Sequence, residues 1–413
     1  MEATMEDHVI VADLGYGDAG KGTVVDYLCS RHPDIRAVVR YNGGGQAGHN
    51  VVTPDGRHHT FAQFGAGTFW GVPTFLSRYM MVDPMRLASE ANHLRSLGVH
   101  RPFDLLTVDP DALVTTPFHM RVNQFRERSR GERRHGSCGM GVGETASYAL
   151  DNPASAIRVA DCGNPRALRP LLRRLRDWAS AEIGRPIRMP SVDDVTEAYR
   201  QFAATVHTGR LPSGGPLVFE GAQGVLLDEW YGFHPYTTWS TTTFTNAFEL
   251  LGEAGLDDAK RLGVVRTYMT RHGNGPFVTE DPTLHLPERH NMTGEWQGPF
   301  RTGHLDLVAL RYAARVCGGV DEIALTHLDV ADEHPELKVC REYADGLTLV
   351  PGGGLELRAQ VSERLLTARP ILSSAPDSWA GLVAQELDAP VTIRSSGPTW
   401  LDKKVRRSAA ARR

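Results

Sequence analysis

The chain has 413 residues, 41% hydrophobic and 23% charged, which is the composition of an ordinary globular protein and excludes a disordered or membrane-embedded one. Apolar runs such as those around Leu226 and Val308 are too short to span a bilayer, and a formal net charge of −4 gives no overall attraction to nucleic acid. Five cysteines, Cys29, Cys138, Cys162, Cys317 and Cys340, include no pair at metal-ligand spacing, so reduced thiols are expected.

The acidic N-terminus, residues 1–6, lacks the charge and apolar length of a signal peptide, which predicts a cytoplasmic protein without nucleic-acid or membrane partners. Residues 9–12 then read as a buried strand, 15–22 as a glycine-dense loop and 23–29 as a helix. Short β-rich runs recur at 37–39, 217–219, 263–265, 323–325 and 391–393, separated by helix-like stretches that include the charged segments 121–134 and 166–176. The pattern predicts an α/β chain with a P-loop-like fold: a largely parallel central sheet, helices on both faces and large insertions. No repeat or linker divides it, so residues 1–402 are expected to form a single domain and 403–413 a basic, disordered tail.

The loop Gly15-Tyr-Gly-Asp-Ala-Gly-Lys-Gly22 follows a strand and opens a helix, so backbone N–H groups and the helix N-terminus can converge on phosphate oxygens, with Lys21 as the cation. The Ser or Thr that ordinarily follows the lysine and meets Mg²⁺ is Gly22 here. Another oxygen must take that place, and Asp18, inside the loop, is the candidate.

At this point a resemblance becomes specific. Residues 17–22 resemble the phosphate-loop signature of adenylosuccinate synthetases, whose pattern has glutamate at Ala19. Further similar stretches follow in the same order at 43–50, 136–143, 219–224, 235–238, 270–271 with 275–277, 301–303, 326–329 and 396–398. The resemblance implies a GTP-dependent C–N bond-forming ligase of purine biosynthesis, working as a homodimer with Mg²⁺. Such an enzyme phosphorylates the carbonyl oxygen of an IMP-like nucleotide and lets an amine, aspartate in the family, displace the phosphate. That chemistry needs a base, a cation and metal on the moving phosphoryl group, and a proton donor.

Carried over residue by residue, the resemblance makes Asp18 base and metal contact, His49 general acid or electrostatic partner, and Lys21 and Gln223 further catalytic groups. Gly48 joins Asp18 at the metal. Gly17, Gly20, Gly22, Ser396 and Gly397 are expected to bind the triphosphate nucleotide. Asp329 would read guanine, because a carboxylate can accept hydrogen bonds from guanine N1–H and the 2-amino group. His327 stands where the family has a lysine over the base. Gln46, Ser137, Cys138 and Thr238 are expected at the acceptor; Gln46 replaces asparagine and Cys138 a phosphate-contacting threonine, a weaker donor for which Ser137 is the available compensation. The arginine that the family sends to that phosphate from the second subunit has no counterpart at 152–155, and nearby Arg158 matches a different family arginine.

The pattern breaks at 293–301, Thr-Gly-Glu-Trp-Gln-Gly-Pro-Phe-Arg. A threonine pair and several arginines clamp aspartate there in the family, whereas here Arg301 alone remains for the donor, Glu295 would repel a carboxylate, and Trp296 and Phe300 offer apolar surface. Either aspartate is held by other residues, or the enzyme is a specialised paralogue with another amine donor or a modified nucleotide acceptor. A non-catalytic GTP-binding regulatory protein is the alternative of a different class; it would have no use for Asp18, His49 and Gln223 together.

Overall fold

The protein is described by a computed structural model covering residue 5 and residues 7–131, 134–256, 258–288, 291 and 296–405. Its backbone is a ten-stranded sheet. In chain order the strands are β1 His8–Asp13, β2 Ala37–Arg40, β3 Thr74–Leu76, β4 Leu106–Val108, β5 His207–Thr208, β6 Leu217–Glu220, β7 Ala259–Arg266, β8 Glu322–Thr326, β9 Val391–Ser395 and β10 Lys403–Val405. In space they run β10-β9-β8-β7-β1-β6-β2-β3-β4-β5, every neighbouring pair being parallel except the last antiparallel pair, β9 and β10.

The alternation of β1 explains the layering. Ile10 and Ala12 enter one apolar core, Val9 and Val11 the other, so helices cover both faces of the sheet. All six runs expected as strands from the sequence lie in this sheet; of the charged segments, 166–176 is helical throughout and 121–134 is helical as far as Arg130. Lys403–Val405, assigned to the basic tail by charge alone, instead form edge strand β10. Lys403 is buried there, its Nζ donating to the carbonyls of Gly397 and Thr399 at 3.0 and 2.8 Å, because a lysine stem packs readily when its ammonium reaches backbone oxygens. The remainder of that tail, 406–413, lies outside the described residues.

Four helices position the site or its walls: α1 Lys21–Arg31, α2 Pro84–Ser96, α3 Pro117–Arg130 and α4 Val142–Asp151. A small antiparallel pair, Met269–His272 with Phe300–Gly303, follows β7 and sets His272 opposite Phe300. The carboxyl ends of the parallel strands, where α/β sheets bind ligands, point the connecting loops into one large cavity.

Candidate active site

The cavity encloses about 1070 Å³. The loop after β1 forms one wall. Asp13 organises it: one carboxylate oxygen accepts the Gly15 N–H at 2.8 Å, and the other accepts the Ala19 N–H at 2.8 Å and Lys21 Nζ at 3.2 Å. Lys21, the first residue of α1, also donates to the Gln223 carbonyl at 2.5 Å, which ties the loop to the segment after β6. Gly17 and Gly20 turn the loop at φ 96° and 93°. Gly22 has a steric reason to replace Ser or Thr, since a Cβ there would lie 2.8 Å from the Cβ of His49.

Asp18, Gln223 and His327 adopt left-handed φ angles of 61°, 56° and 58°, and all three line the cavity. Such backbone costs free energy in non-glycine residues and persists where surrounding contacts enforce it. For Asp18 the enforcing contact is Arg266, at the end of β7, which donates to the Asp18 carbonyl at 3.0 Å.

His49 opens a short strand, His49–Val52, and its Nδ1 lies 2.6 Å from Oε1 of Glu220 at the end of β6. Glu220 accepts the Ala66 N–H at 3.0 Å through its other oxygen. Burial drives the imidazole pKa down to about 4 against the pull of Glu220. Burial also opposes ionisation of Glu220, but its pairing with His49, the charge of Arg40 and the Ala66 N–H hold the carboxyl below its ordinary range. The imidazole is therefore neutral, with its Nδ1–H committed to Glu220, leaving Nε2 for a ligand. An arriving phosphoryl group would raise its proton affinity.

Burial raises the pKa of Asp18, opposed first by His272 and then by Lys21 and Arg266. A carboxylate with raised proton affinity on a phosphate loop suits a base. The Asp18 carboxylate and the Gly48 carbonyl are both hard oxygen donors on the cavity wall, a set that fits Mg²⁺, which takes one or two carboxylates together with phosphate oxygens. No group of three His, Cys, Asp or Glu among the described residues is disposed to hold a metal by itself.

At the β8 end, His327 caps a short helix, Leu328–Glu333, with Asp329 in its first turn. Burial pushes the His327 imidazole well below its ordinary pKa, so a neutral ring stands there. The 396–398 loop is fastened to α1 by Thr23 Oγ1, which donates to the Pro398 carbonyl at 2.8 Å. Gly397 lines the cavity; neighbouring Ser396 does not, and its N–H is spent on the Asp402 carbonyl at 3.0 Å.

Gln46, Ser137, Cys138 and Thr238 also line the cavity. The side-chain oxygens of Gln46 and Gln223 are buried without a partner, two acceptors open to a donor on a ligand. Burial pushes the Cys138 thiol up to about 11, so it remains protonated. Arg301 is placed otherwise. It forks onto Glu280, donates to the carbonyls of Gly273 and Gly275 at 3.0 Å each, and is absent from the cavity wall. Trp296 and Phe300 do not line the cavity either: a Cβ on Gly139 would touch the Trp296 ring at 2.7 Å, Arg128 lies 4.8 Å from that ring, and Phe300 packs 4.8 Å from His272. The two half-buried rings expected to face a donor thus pack against protein neighbours away from the cavity wall. Thr293 and Glu295 lie outside the described residues.

The family model described as adenylosuccinate synthetase matches residues 10–376, which carry nearly all of these groups. The chain belongs to the adenylosuccinate synthetase family. It is 34% identical to the adenylosuccinate synthetase of Chlorobium chlorochromatii over 94% of this chain and 95% of that protein. It is also 34% identical to that of Salinibacter ruber, over 82% and 81%. Among solved structures, the fully ligated adenylosuccinate synthetase of Plasmodium falciparum superposes with a TM-score of 0.79 at 20% identity, covering 97% of this chain and 100% of that one. The succinoaminodeoxyadenylate synthetase of cyanophage S-2L, bound to dGMP and to dATP as an energy donor, superposes at 0.60 and 18% identity, covering 98% and 96%. The protein is an adenylosuccinate-synthetase-like enzyme with the mostly parallel α/β fold that membership implies.

Three polar residues of this adenylosuccinate-synthetase-like site were not singled out from the sequence: Glu220, Arg266 and His272. Glu220 sits inside a quoted motif and His272 directly after one, yet nothing local shows that their partners are His49 and Asp18. Arg266 carried only the signal of an arginine closing an apolar strand.

Proposed function

We propose that this protein is a GTP- and Mg²⁺-dependent ligase that phosphorylates the carbonyl oxygen of a purine-type acceptor of the inosine class and lets an amine displace the phosphate. The observation that carries the reading is that Asp18, Lys21, His49 and Gln223 open on one cavity, with two buried glutamine oxygens lacking partners beside them. Asp18, with its raised proton affinity, removes the ring N–H proton and so builds electron density on the carbonyl oxygen. Lys21 and the loop N–H groups hold the phosphoryl group being transferred, and His49, proton affinity raised by that group, faces the charge as it develops. Gln46 and Gln223 can donate through their amide N–H groups to the acceptor's ring nitrogens or carbonyl oxygen and accept from its sugar hydroxyls. Bound at Asp18 and Gly48, Mg²⁺ would offset the negative charge of the phosphates. Asp329 selects guanine, with Gly17, Gly20, Gly22 and Gly397 forming the rest of the nucleotide seat, and the protein works as a homodimer.

A second reading concerns the donor. Arg301 is engaged by Glu280 and two carbonyls, which favours an amine other than aspartate, or aspartate bound without that arginine. Screening purine acceptors against amino acids by GTP-dependent phosphate release and product mass tests both readings, with Lys21→Ala as the control that should lose most turnover. Phosphate release that needs no acceptor and no amine, or none at all, would sink the ligase reading.

A further inference from the structure

Where α3 and α4 line the cavity they bring a second set of charges to its wall. Arg126 and Arg130 lie one helical turn apart on α3 and both line the cavity. Each is already paired. The two terminal nitrogens of Arg126 meet Glu144 of α4 and Glu182, and Arg130 meets Glu127. The Glu127 and Glu144 side chains are 0% and 8% exposed, whereas the two arginines are 35% and 33% exposed, so the carboxylates lie beneath the guanidinium groups. Among the described residues, this paired set of two positive and three negative groups carries a net charge of −1.

The remaining groups at the corner, among the described residues, are His135, whose imidazole burial holds below its ordinary pKa, and the neutral hydrogen-bonding Asn123, which donates to Ser137 Oγ at 2.9 Å, Ser137 itself, Cys138 and Ser147. Arg86, whose charge also reaches Cys138, is paired with Asp83 at 3.6 Å. The N-terminus of α4 also opens here, but its first turn already carries the Glu144 carboxylate, which answers the helix dipole. A dianion seated here would have to draw Arg126 or Arg130 off its partner and leave Glu144 or Glu127 buried and unpaired, which is strongly unfavourable. A hydroxyl group needs no such exchange, since it can donate to a carboxylate and accept from a guanidinium at once.

We infer that the acceptor carries no phosphate at this corner: it is a purine-type nucleoside, held by its sugar hydroxyls, rather than the corresponding 5′-monophosphate. The inference rests on the proposed reading of Gln46, Ser137, Cys138, Gln223 and Thr238 as the acceptor end. It is tested with the full-length protein, GTP and Mg²⁺, by calorimetric titration of inosine and of inosine 5′-monophosphate and by product mass with each in an amino-acid mixture. Inosine is expected to bind at least about tenfold more tightly and to be the acceptor turned over. Equal or tighter binding of the monophosphate, or turnover of it in preference, overturns the inference while leaving the ligase reading intact; binding of neither removes both. Glu144→Gln removes one of the two carboxylates paired with Arg126 without changing side-chain size and should shift the preference toward the monophosphate by about tenfold. No shift in Glu144→Gln or in Glu127→Gln, with both variants folded by thermal melting, would show that the ion pairs do not set the preference.

Discussion

The Nε2 of His272 lies 3.6 Å from Oδ2 of Asp18, and the ring is backed by Phe300, its partner across the strand pair, at a centroid distance of 4.8 Å. A residue 254 positions away therefore steadies the charge of the loop carboxylate, and an aromatic ring of the divergent 293–301 segment holds that residue in place. His272→Val removes the neighbour without disturbing the strand. Loss of one interaction with a charged group, about 1.5 kcal/mol, predicts a roughly tenfold fall in kcat. The KM for GTP should stay within about threefold, because the phosphate contacts remain. His272→Asn should recover part of the rate. A variant with unchanged kcat would leave His272 as packing only.

Asp329 stands in the first turn of the Leu328–Glu333 helix and faces the cavity. Asp329→Asn replaces a two-fold acceptor by one acceptor and one donor, so the guanine 2-amino group or N1–H loses its partner. The ratio of kcat/KM for GTP over ATP is expected to fall by about tenfold or more. If that ratio is unmoved, base selection lies in other residues.

Arg301 supports the strand pair by a fork onto Glu280 and two carbonyl contacts. Arg301→Lys cannot reproduce that fork, and its melting temperature should drop by several degrees, corresponding to about 1–2 kcal/mol. The half-saturating donor concentration should change less than about twofold. Aspartate, lacking an arginine clamp, is expected to saturate at least about tenfold less readily than a clamped dicarboxylate would. A tenfold rise in donor KM for Arg301→Lys, or micromolar aspartate saturation, would put Arg301 on the donor after all.

His119 is buried at the start of α3, where its Nδ1 accepts the Thr116 N–H at 3.1 Å, and burial pushes its pKa down to about 3. Between the unfolded value near 6.5 and about 3, the unfolded chain takes up a proton that the folded one refuses. Stability from this residue is thus complete above about pH 6.5 and is lost as pH falls, by about 1.4 kcal/mol per unit. His49, held near 4, acts in the same direction. Urea midpoints measured from pH 7 to pH 5 should decline, and His119→Asn, whose side-chain oxygen can still accept the Thr116 N–H, should decline by about 1 kcal/mol less per unit. Parallel declines would exclude His119 as the acid-sensitive group.

By itself, the sequence determined the strand runs, the phosphate loop and its family resemblance. These are written in local terms: apolar alternation, glycines where φ must be positive, and motifs in a set order. It also carried Asp18, Lys21, His49, Gln223 and Asp329 to the cavity that the structure shows them lining. Tertiary structure alone decided which side chains meet. Glu220 reaches His49 across 171 residues and Arg266 reaches Asp18 across 248, because crossover connections bring the carboxyl ends of distant parallel strands together. It also decided that Trp296 and Phe300 pack against protein neighbours away from the cavity, that Arg301 belongs to Glu280, and that Arg126 and Arg130 are already paired. Residue type tells what a side chain can bind; the partner that takes up its charge or its apolar face is chosen by distance, and in this fold those distances are set by the sheet.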